Sequence, residues 1–86
     1  MTIGKLRAEI DRIDNEIVRL YGERMETAAL IGQYKKEQNL PVTDPAREAE
    51  LLDRVEKLAG KENAEGVREL FALLMAQSRA KQERIR

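Results

Sequence analysis

The sequence predicts an all-α protein of three helices, in the order long, short and medium. Of its 86 residues, 37% are charged and only 3% are aromatic, with two prolines and five glycines. This composition is typical of long helices and not of a β-sandwich. Apolar residues also recur in steps of three and four, which is the period of a helical face. We expect residues 1–86 to form a single domain, because a chain of this length buries only one small core.

The first helix is predicted to run from about Thr2 to Asn39. Thr2 is a suitable N-cap, and no proline interrupts the chain before Pro41. The apolar stripe of this helix keeps the spacing of a coiled-coil seam over roughly four heptads. It consists of Leu6, Ile10, Ile13, Ile17, Leu20, Ala28 and Ile31. A helix of about 36 residues is roughly 54 Å long, and one short chain cannot cover it. We therefore expect a homodimer of intertwined helices.

The second helix is predicted to follow the break at Pro41. Either Thr43 or Asp44 can cap it, with Pro45 in the favoured first helical position. Gly60 stands where a glycine commonly ends a helix. The predicted apolar face consists of Leu51, Leu52, Val55, Leu58 and Ala59.

The third helix is predicted to start after Asn63, which we expect to be its N-cap. Its predicted apolar face consists of Val67, Leu70, Phe71, Leu74, Met75 and Ile85. No linker is long enough to separate two domains. Nothing in the sequence resembles a signal peptide or a membrane span, so we expect a cytoplasmic protein.

The charge balance and the absent residue types exclude several functions. Sixteen Lys and Arg residues balance sixteen Asp and Glu residues, so there is no broad basic field for nucleic acid or for a membrane surface. The chain has no Cys and no His, which excludes disulfides, thiolate metal sites and imidazole catalysis. We also find no Gly-rich phosphate loop and no carboxylate cluster of metal-binding type. We therefore expect neither a metal nor a cofactor.

Each predicted helix carries polar residues within its apolar stripe. They are Arg24 on the first helix, Asp44 and Glu48 at the second, and Ser78 and Gln82 on the third. A buried polar or charged group without a partner is costly, so these groups should pair with one another or with a ligand. Taken alone, Arg24 is better explained by a structural role such as an ion pair with Glu48, and Ser78 by packing. As a set, they favour a polar ligand pocket.

The cations of this set indicate an anionic ligand. Arg7, Arg24, Lys35 and Arg47 suit a small molecule with more than one carboxylate, and the neighbouring carboxylates suit a hydroxyl group. Arg7 and Lys35 lie on the same edge of the seam but about 42 Å apart, too far for one small ligand. In an antiparallel pair of long helices, Arg7 of one copy approaches Arg24 of the other. This arrangement gives two equivalent sites.

Motifs spread over nearly the whole chain carry a resemblance to a known family. They lie at residues 6–14, 23–24, 31–35, 41–48 and 78–82. In their order and spacing they closely resemble the all-helical chorismate mutases. The resemblance implies an intertwined helical dimer that converts chorismate to prephenate in the biosynthesis of Phe and Tyr. Because the motifs span nearly the whole sequence, we also expect no fused dehydratase, dehydrogenase or regulatory segment.

The same resemblance implies roles for individual residues. Arg24 and the partner's Arg7 hold the carboxylates of the substrate. Lys35 and Gln82 donate hydrogen bonds to its ether oxygen, so that Arg24, Lys35 and Gln82 are the expected catalytic residues. Glu48 accepts a hydrogen bond from the ring hydroxyl group. The full set implied to bind substrate is Arg7, Arg24, Lys35, Asp44, Arg47, Glu48, Ser78 and Gln82.

Two other functions are compatible with the sequence. One is an isochorismate-pyruvate lyase of the same fold, with a similar cationic pocket. The other is a helical dimerisation module without catalytic activity. Gln82 and the segment from Asp44 to Glu48 favour the mutase over the lyase.

Overall fold

A computed structural model of the chain describes residues 1–85 and contains three helices. They are α1 (Ile3–Glu37), α2 (Pro45–Ala59) and α3 (Ala64–Ile85), and the described residues form no strand. The predicted all-α class and the order of long, short and medium helices are confirmed. Helix α3 packs against both α1 and α2, whereas α1 and α2 do not approach each other closely. A space therefore remains between α1 and α2, with α3 as its floor.

The ends of α2 follow the predicted signals. Of the two candidate caps, Asp44 is the N-cap, and its carboxylate accepts a hydrogen bond of 3.1 Å from the backbone N–H of Arg47. Pro45 occupies the first helical position, where its missing N–H costs nothing. Gly60 ends the helix with a φ of 81°, a value that L-amino acids with side chains rarely adopt.

The ends of α1 explain how the chain turns toward the rest of the molecule. Thr2 is the N-cap, as predicted. Beyond the last turn, Asn39 adopts a left-handed conformation with a φ of 55°. The N–H of Leu40 donates to the carbonyl of Lys35 at 2.8 Å, and that of Asn39 to the carbonyl of Lys36 at 3.3 Å. These two bonds form a Schellman motif, which closes the helix and reverses the chain.

The core of the chain lies between α2 and α3. Leu51, Val55 and Met75 are buried there, and further apolar side chains pack around them. Two residues of the apolar faces predicted for α2 and α3 are not covered: Leu58 is 73% exposed and Leu70 is 50% exposed. For the single chain, those two predictions were wrong. Ala59 and Val67 line one shallow pocket at this end of α2, whereas Leu58 lies on the outside.

The N-terminal half of α1 projects from the rest of the chain. Residues 1–23 are all exposed, and the seam residues Leu6 to Leu20 are between 39% and 57% exposed. The radius of gyration is 16.0 Å, whereas a compact chain of this length has about 12 Å. The accessible surface is 6756 Å², whereas a compact monomer of this mass exposes about 5,200 Å². The apolar seam predicted from the sequence is therefore present and largely uncovered within one chain.

Ion pairs along the helix stabilise this projecting half locally. Arg12 pairs with Glu9, and Arg19 pairs with Glu16 at 2.9 Å and with Glu23 at 3.2 Å. The hydrogen bond from Arg19, followed by its charge, lowers the pKa of Glu16. These pairs lie one residue away from the apolar seam, so they border it on one side. Spacings of three and four residues are those at which side chains meet on a helix.

We predict that Gly32→Ala destabilises the protein. A Cβ at Gly32 would lie 3.0 Å from Cα of Gln82 and 3.2 Å from its Cβ, so α1 and α3 would have to move apart. Overpacking of this kind costs about 1–3 kcal/mol. The matched control is Gly22→Ala on the same helix, where a Cβ meets nothing within 4 Å. Removing this glycine should stabilise the helix by roughly 0.5–1 kcal/mol. Urea unfolding at one fixed protein concentration measures both changes, and equal shifts of the same sign would contradict the packing described here.

Candidate active site

A cleft of about 460 Å³ lies between the three helices. It exists because α3 holds α1 and α2 on either side without bringing them together. Side chains from all three helices and from the connection after α1 line it. Clefts that bind small organic molecules commonly have volumes of about 300–1,000 Å³. The cleft is therefore large enough for one small ligand.

The structure brings seven of the eight predicted site residues to this cleft. They are Arg24, Lys35, Asp44, Arg47, Glu48, Ser78 and Gln82. Arg7 is the exception: it lies on the exposed half of α1, about 25 Å along the axis from Arg24. It does not line the cleft of its own chain. Its expected place in the site of a partner chain stays a prediction.

Arg24 is anchored where α1 packs against α3. Its Nη1 donates to Oγ of Ser78 and, at 3.5 Å, to the carbonyl of Leu74. Ser78 itself is buried, so the two polar insertions predicted on different helices meet directly. The alternative ion pair between Arg24 and Glu48 does not form. The other nitrogens of Arg24 make no hydrogen bond with residues 1–85, which leaves them able to bind a carboxylate.

Lys35 is held at the opposite end of the cleft by the turn that follows α1. Its Nζ donates to the carbonyl of Val42 at 2.7 Å. The Schellman motif described above produces this contact, because it brings the chain back alongside the last turn of α1. An ammonium group has three N–H donors, so Lys35 keeps donors for a ligand after this bond.

The side-chain oxygen of Gln82 lacks a hydrogen-bond partner among residues 1–85. The side chain is only 7% exposed, and this oxygen, Oε1, is buried. A buried polar atom without a partner costs about 1–3 kcal/mol. Such an atom in a native protein calls for an explanation, of which a ligand or an ordered water is one. Gln82 borders the cleft, so a donor group of a ligand can pair with Oε1 there. The donor role expected from the sequence belongs to the other amide atom, Nε2, which makes no hydrogen bond with residues 1–85.

The cleft carries an excess of positive charge. Five cationic side chains line it, against two carboxylates. The cations are Arg24, Lys35, Arg47, Arg54 and Arg79. The carboxylate of Asp44 is used as a helix cap, and that of Glu48 pairs with Arg79 at 2.6 Å. The excess charge therefore suits a ligand with more than one negative charge.

Sequence analysis missed two of these cations, Arg54 and Arg79. Arg54 follows Arg47 by seven residues, two helical turns, so the repeat on one face of α2 was a signal that could have found it. Arg79 follows Ser78 directly and belongs to a neighbouring row of α3. Nothing in the sequence shows that this row faces Glu48, because that depends on how α2 packs against α3.

Within residues 1–85, no group of Asp and Glu side chains is arranged to hold a metal ion. None of the helices is long and apolar enough to cross a membrane. The described residues thus present one polar cleft with charge and hydrogen-bond donors as its chemical resources.

The fold and the cleft define an all-α protein with a cationic pocket between three helices, suited to a small ligand with several carboxylates. Residues 6–83 match the family described as chorismate mutase type II. The chain belongs to this family.

Named relatives agree with this assignment. The chain is 32% identical over 84 residues to a chorismate mutase of Methanocaldococcus jannaschii, a match that covers 94% of this chain and 84% of the relative. It is 48% identical over 56 residues to a bifunctional chorismate mutase/prephenate dehydratase of Aquifex aeolicus, covering 65% of this chain but only 16% of that protein. Among solved structures, a conserved hypothetical protein from Pyrococcus furiosus is similar with a TM-score of 0.80, 41% identity, and coverage of 95% and 96% of the two chains.

We predict that Gln82→Met stabilises the fold. Methionine has nearly the shape of glutamine but no polar atom to bury, so the variant removes the unpaired Oε1 and should gain about 1 kcal/mol. The control is Gln77→Met on the same helix, because Gln77 accepts a hydrogen bond of 2.8 Å from the hydroxyl of Tyr21. That variant should be neutral or slightly less stable. Chemical unfolding compares the two, and a clear loss of stability in Gln82→Met would show that its amide serves the fold rather than a ligand.

Proposed function

We propose that this chain is a chorismate mutase, which converts chorismate to prephenate on the route to Phe and Tyr. The observation that carries the proposal is the cleft itself. The chain belongs to the chorismate mutase family, and seven site residues predicted from its sequence line one cationic pocket. The pocket is large enough for a small dicarboxylate. The pocket can hold a small dicarboxylate between guanidinium and ammonium groups.

The chemistry fits the residues that line the cleft. The reaction is an intramolecular rearrangement: the ether C–O bond breaks and a new C–C bond forms within one molecule, with no atom gained or lost. It needs neither a nucleophile nor a proton transfer, so a lining without Cys or His is sufficient. Because the C–O bond breaks ahead of C–C bond formation, negative charge develops on the ether oxygen. Fixed donors aimed at that oxygen stabilise the transition state.

The proposed donors are Lys35 and Gln82. Lys35 is anchored by the carbonyl of Val42 and keeps further N–H groups. Gln82 is buried and lies against Gly32, so its side chain has little freedom to move. Donors held in place before the reaction cost no reorganisation when charge develops. This is the main source of rate enhancement in the proposal.

The carboxylates of the substrate are assigned to arginines. Arg24 uses one nitrogen to bond Ser78 and has others for the ligand. The partner's Arg7 is proposed as the second, and Glu48 as the acceptor of the ring hydroxyl. Asp44, Arg47 and Ser78 complete the wall of the pocket. Held in this way, the substrate is confined to the compact conformer that can react.

The proposal includes an intertwined homodimer of single-domain chains. Three observations support it: the exposed apolar seam, the absence of Arg7 from the cleft of its own chain, and the large surface. The chain exposes roughly 1,500 Å² more than a compact monomer, which is about what each partner of a large homodimer interface buries. A cytoplasmic location stays the expectation from the sequence.

The direct test is product formation. Purified protein should convert chorismate to prephenate, identified by chromatography, and should form no salicylate and pyruvate from isochorismate. Formation of salicylate and pyruvate from isochorismate, without any prephenate from chorismate, would indicate the lyase. A folded dimer inactive on both substrates would indicate the non-catalytic module.

Gln82→Glu tests the proposed chemistry within that assay. An ionised carboxylate at this position repels the charge that develops on the ether oxygen, whereas a protonated one donates a hydrogen bond. We expect turnover at high pH to fall by about a hundredfold to a thousandfold, the usual loss for such a donor. The activity of the variant should recover as pH falls. The control is Gln77→Glu, outside the cleft, which should keep the pH profile of the parent. A Gln82→Glu enzyme equally active at pH 5 and pH 8 would remove Gln82 from the ether oxygen.

Mixing two inactive variants tests the shared site. Arg7→Ala and Arg24→Ala should each be nearly inactive as homodimers if one pocket needs both arginines. After subunit exchange, a heterodimer has one pocket with both arginines intact, so activity should return. Exchange is verified by mass spectrometry of differently labelled copies, with Arg19→Ala as the exposed-arginine control. Exchange without any regained activity would contradict the assignment of the partner's Arg7 to the pocket.

A further inference from the structure

An ion pair in the lining of the cleft joins α2 to α3. Nη1 of Arg79 lies 2.6 Å from Oε1 of Glu48, and the two side chains are 34% and 27% exposed. Both residues line the cleft. A second Arg–Glu pair, Arg68 with Glu56, joins the same two helices outside the cleft. Fastening α2 to α3 therefore does not by itself require an ion pair inside the site.

The pair fixes one oxygen of Glu48 and leaves the other available. Oε2 makes no hydrogen bond with residues 1–85. Other cations, Arg47 and Arg54 among them, also line the cleft, so an untethered carboxylate could turn toward any of them. Arg79 selects one orientation. Because Arg79 follows Ser78 on α3, its ion pair fixes the position of the Glu48 carboxylate relative to the site residues of that helix.

We propose that Arg79 is a positioning residue of this site. It holds Oε1 of Glu48 in place, so that Oε2 can accept a hydrogen bond from the hydroxyl group of the substrate ring. This inference rests on the proposed function, in which Glu48 receives that hydroxyl. Arg79 acts through Glu48 and makes no bond to the substrate. Ordering the carboxylate before binding removes a cost that the substrate would otherwise have to meet.

The test compares Arg79→Gln, Arg79→Lys and Arg68→Gln in the prephenate assay. Arg79→Gln removes the charge and should lower kcat/KM by about tenfold, the usual effect of one hydrogen bond to a charged group. Arg79→Lys should recover part of the loss, since an ammonium can still reach Oε1 but lacks the planar fork. Arg68→Gln breaks the matched pair outside the cleft and should leave kcat/KM unchanged. Thermal melts verify that all three variants fold.

Two readouts separate positioning from a purely structural role. In a Glu48→Gln background, Arg79→Gln should cause no further loss, because the group through which it acts is already gone. With a chorismate analogue whose ring hydroxyl is replaced by hydrogen, the parent and Arg79→Gln should have equal kcat/KM. A structural role predicts the same loss on both substrates.

Three results would overturn the inference. The first is an Arg79→Gln enzyme as active as Arg68→Gln. The second is a double variant whose losses multiply, and the third is an Arg79→Gln penalty that persists on the analogue without the hydroxyl. If Arg79→Gln does not fold, Arg79→Lys provides the test instead. The inference is then overturned if Arg79→Lys does not change kcat/KM on either substrate, whether residue 48 is Glu or Gln. A parent protein that forms no prephenate is a different failure, because it removes the proposed function and the role of Arg79 with it.

Discussion

The close contact between Gly32 of α1 and Gln82 of α3 is the constraint on which the site depends. It leaves no room for a Cβ, so the two helices lie as near to each other as their backbones allow. Arg24 lies about two turns before this crossing and Lys35 about one turn after it, while Ser78 lies one turn before Gln82. A small separation of α1 and α3 would thus change the distances between the cleft residues of α1 and those of α3. The geometry of the site therefore depends on this close contact.

The same arrangement leaves the chain with a small core. The buried apolar cluster consists of Leu51, Val55 and Met75, and no described side chain is fully buried. The unpaired oxygen of Gln82 and the crowded cations lower stability further. Most of the apolar surface that remains lies on the helix half that carries Arg7. In the proposed dimer, covering that surface would both stabilise the chain and bring Arg7 to a site, so folding and function would depend on one interface.

Local signals in the sequence were sufficient for the fold, but not for all of the site. Caps such as Thr2 and Asp44 act within four residues, so the helix ends were predictable to within about two residues. Leu58 was expected on the covered face of α2 but is exposed, because the apolar face of a helix can continue past the point where a partner helix covers it. Arg79 was missed for a related reason: its contact with Glu48 joins residues 31 positions apart and depends on the packing of two helices. The expected place of Arg7 requires a second copy of the chain, so no contact within a single chain tests it.

The polar groups of the cleft share one arrangement. Arg24 bonds Ser78 through one nitrogen, Lys35 bonds the carbonyl of Val42, and Glu48 bonds Arg79 through one oxygen. Each group is held by the protein and still has a donor or acceptor to offer. A zero net charge over the whole chain conceals this local concentration of cations. Groups that are oriented before the ligand arrives can stabilise developing charge without rearranging, which is how a small helical chain without Cys or His can catalyse a reaction.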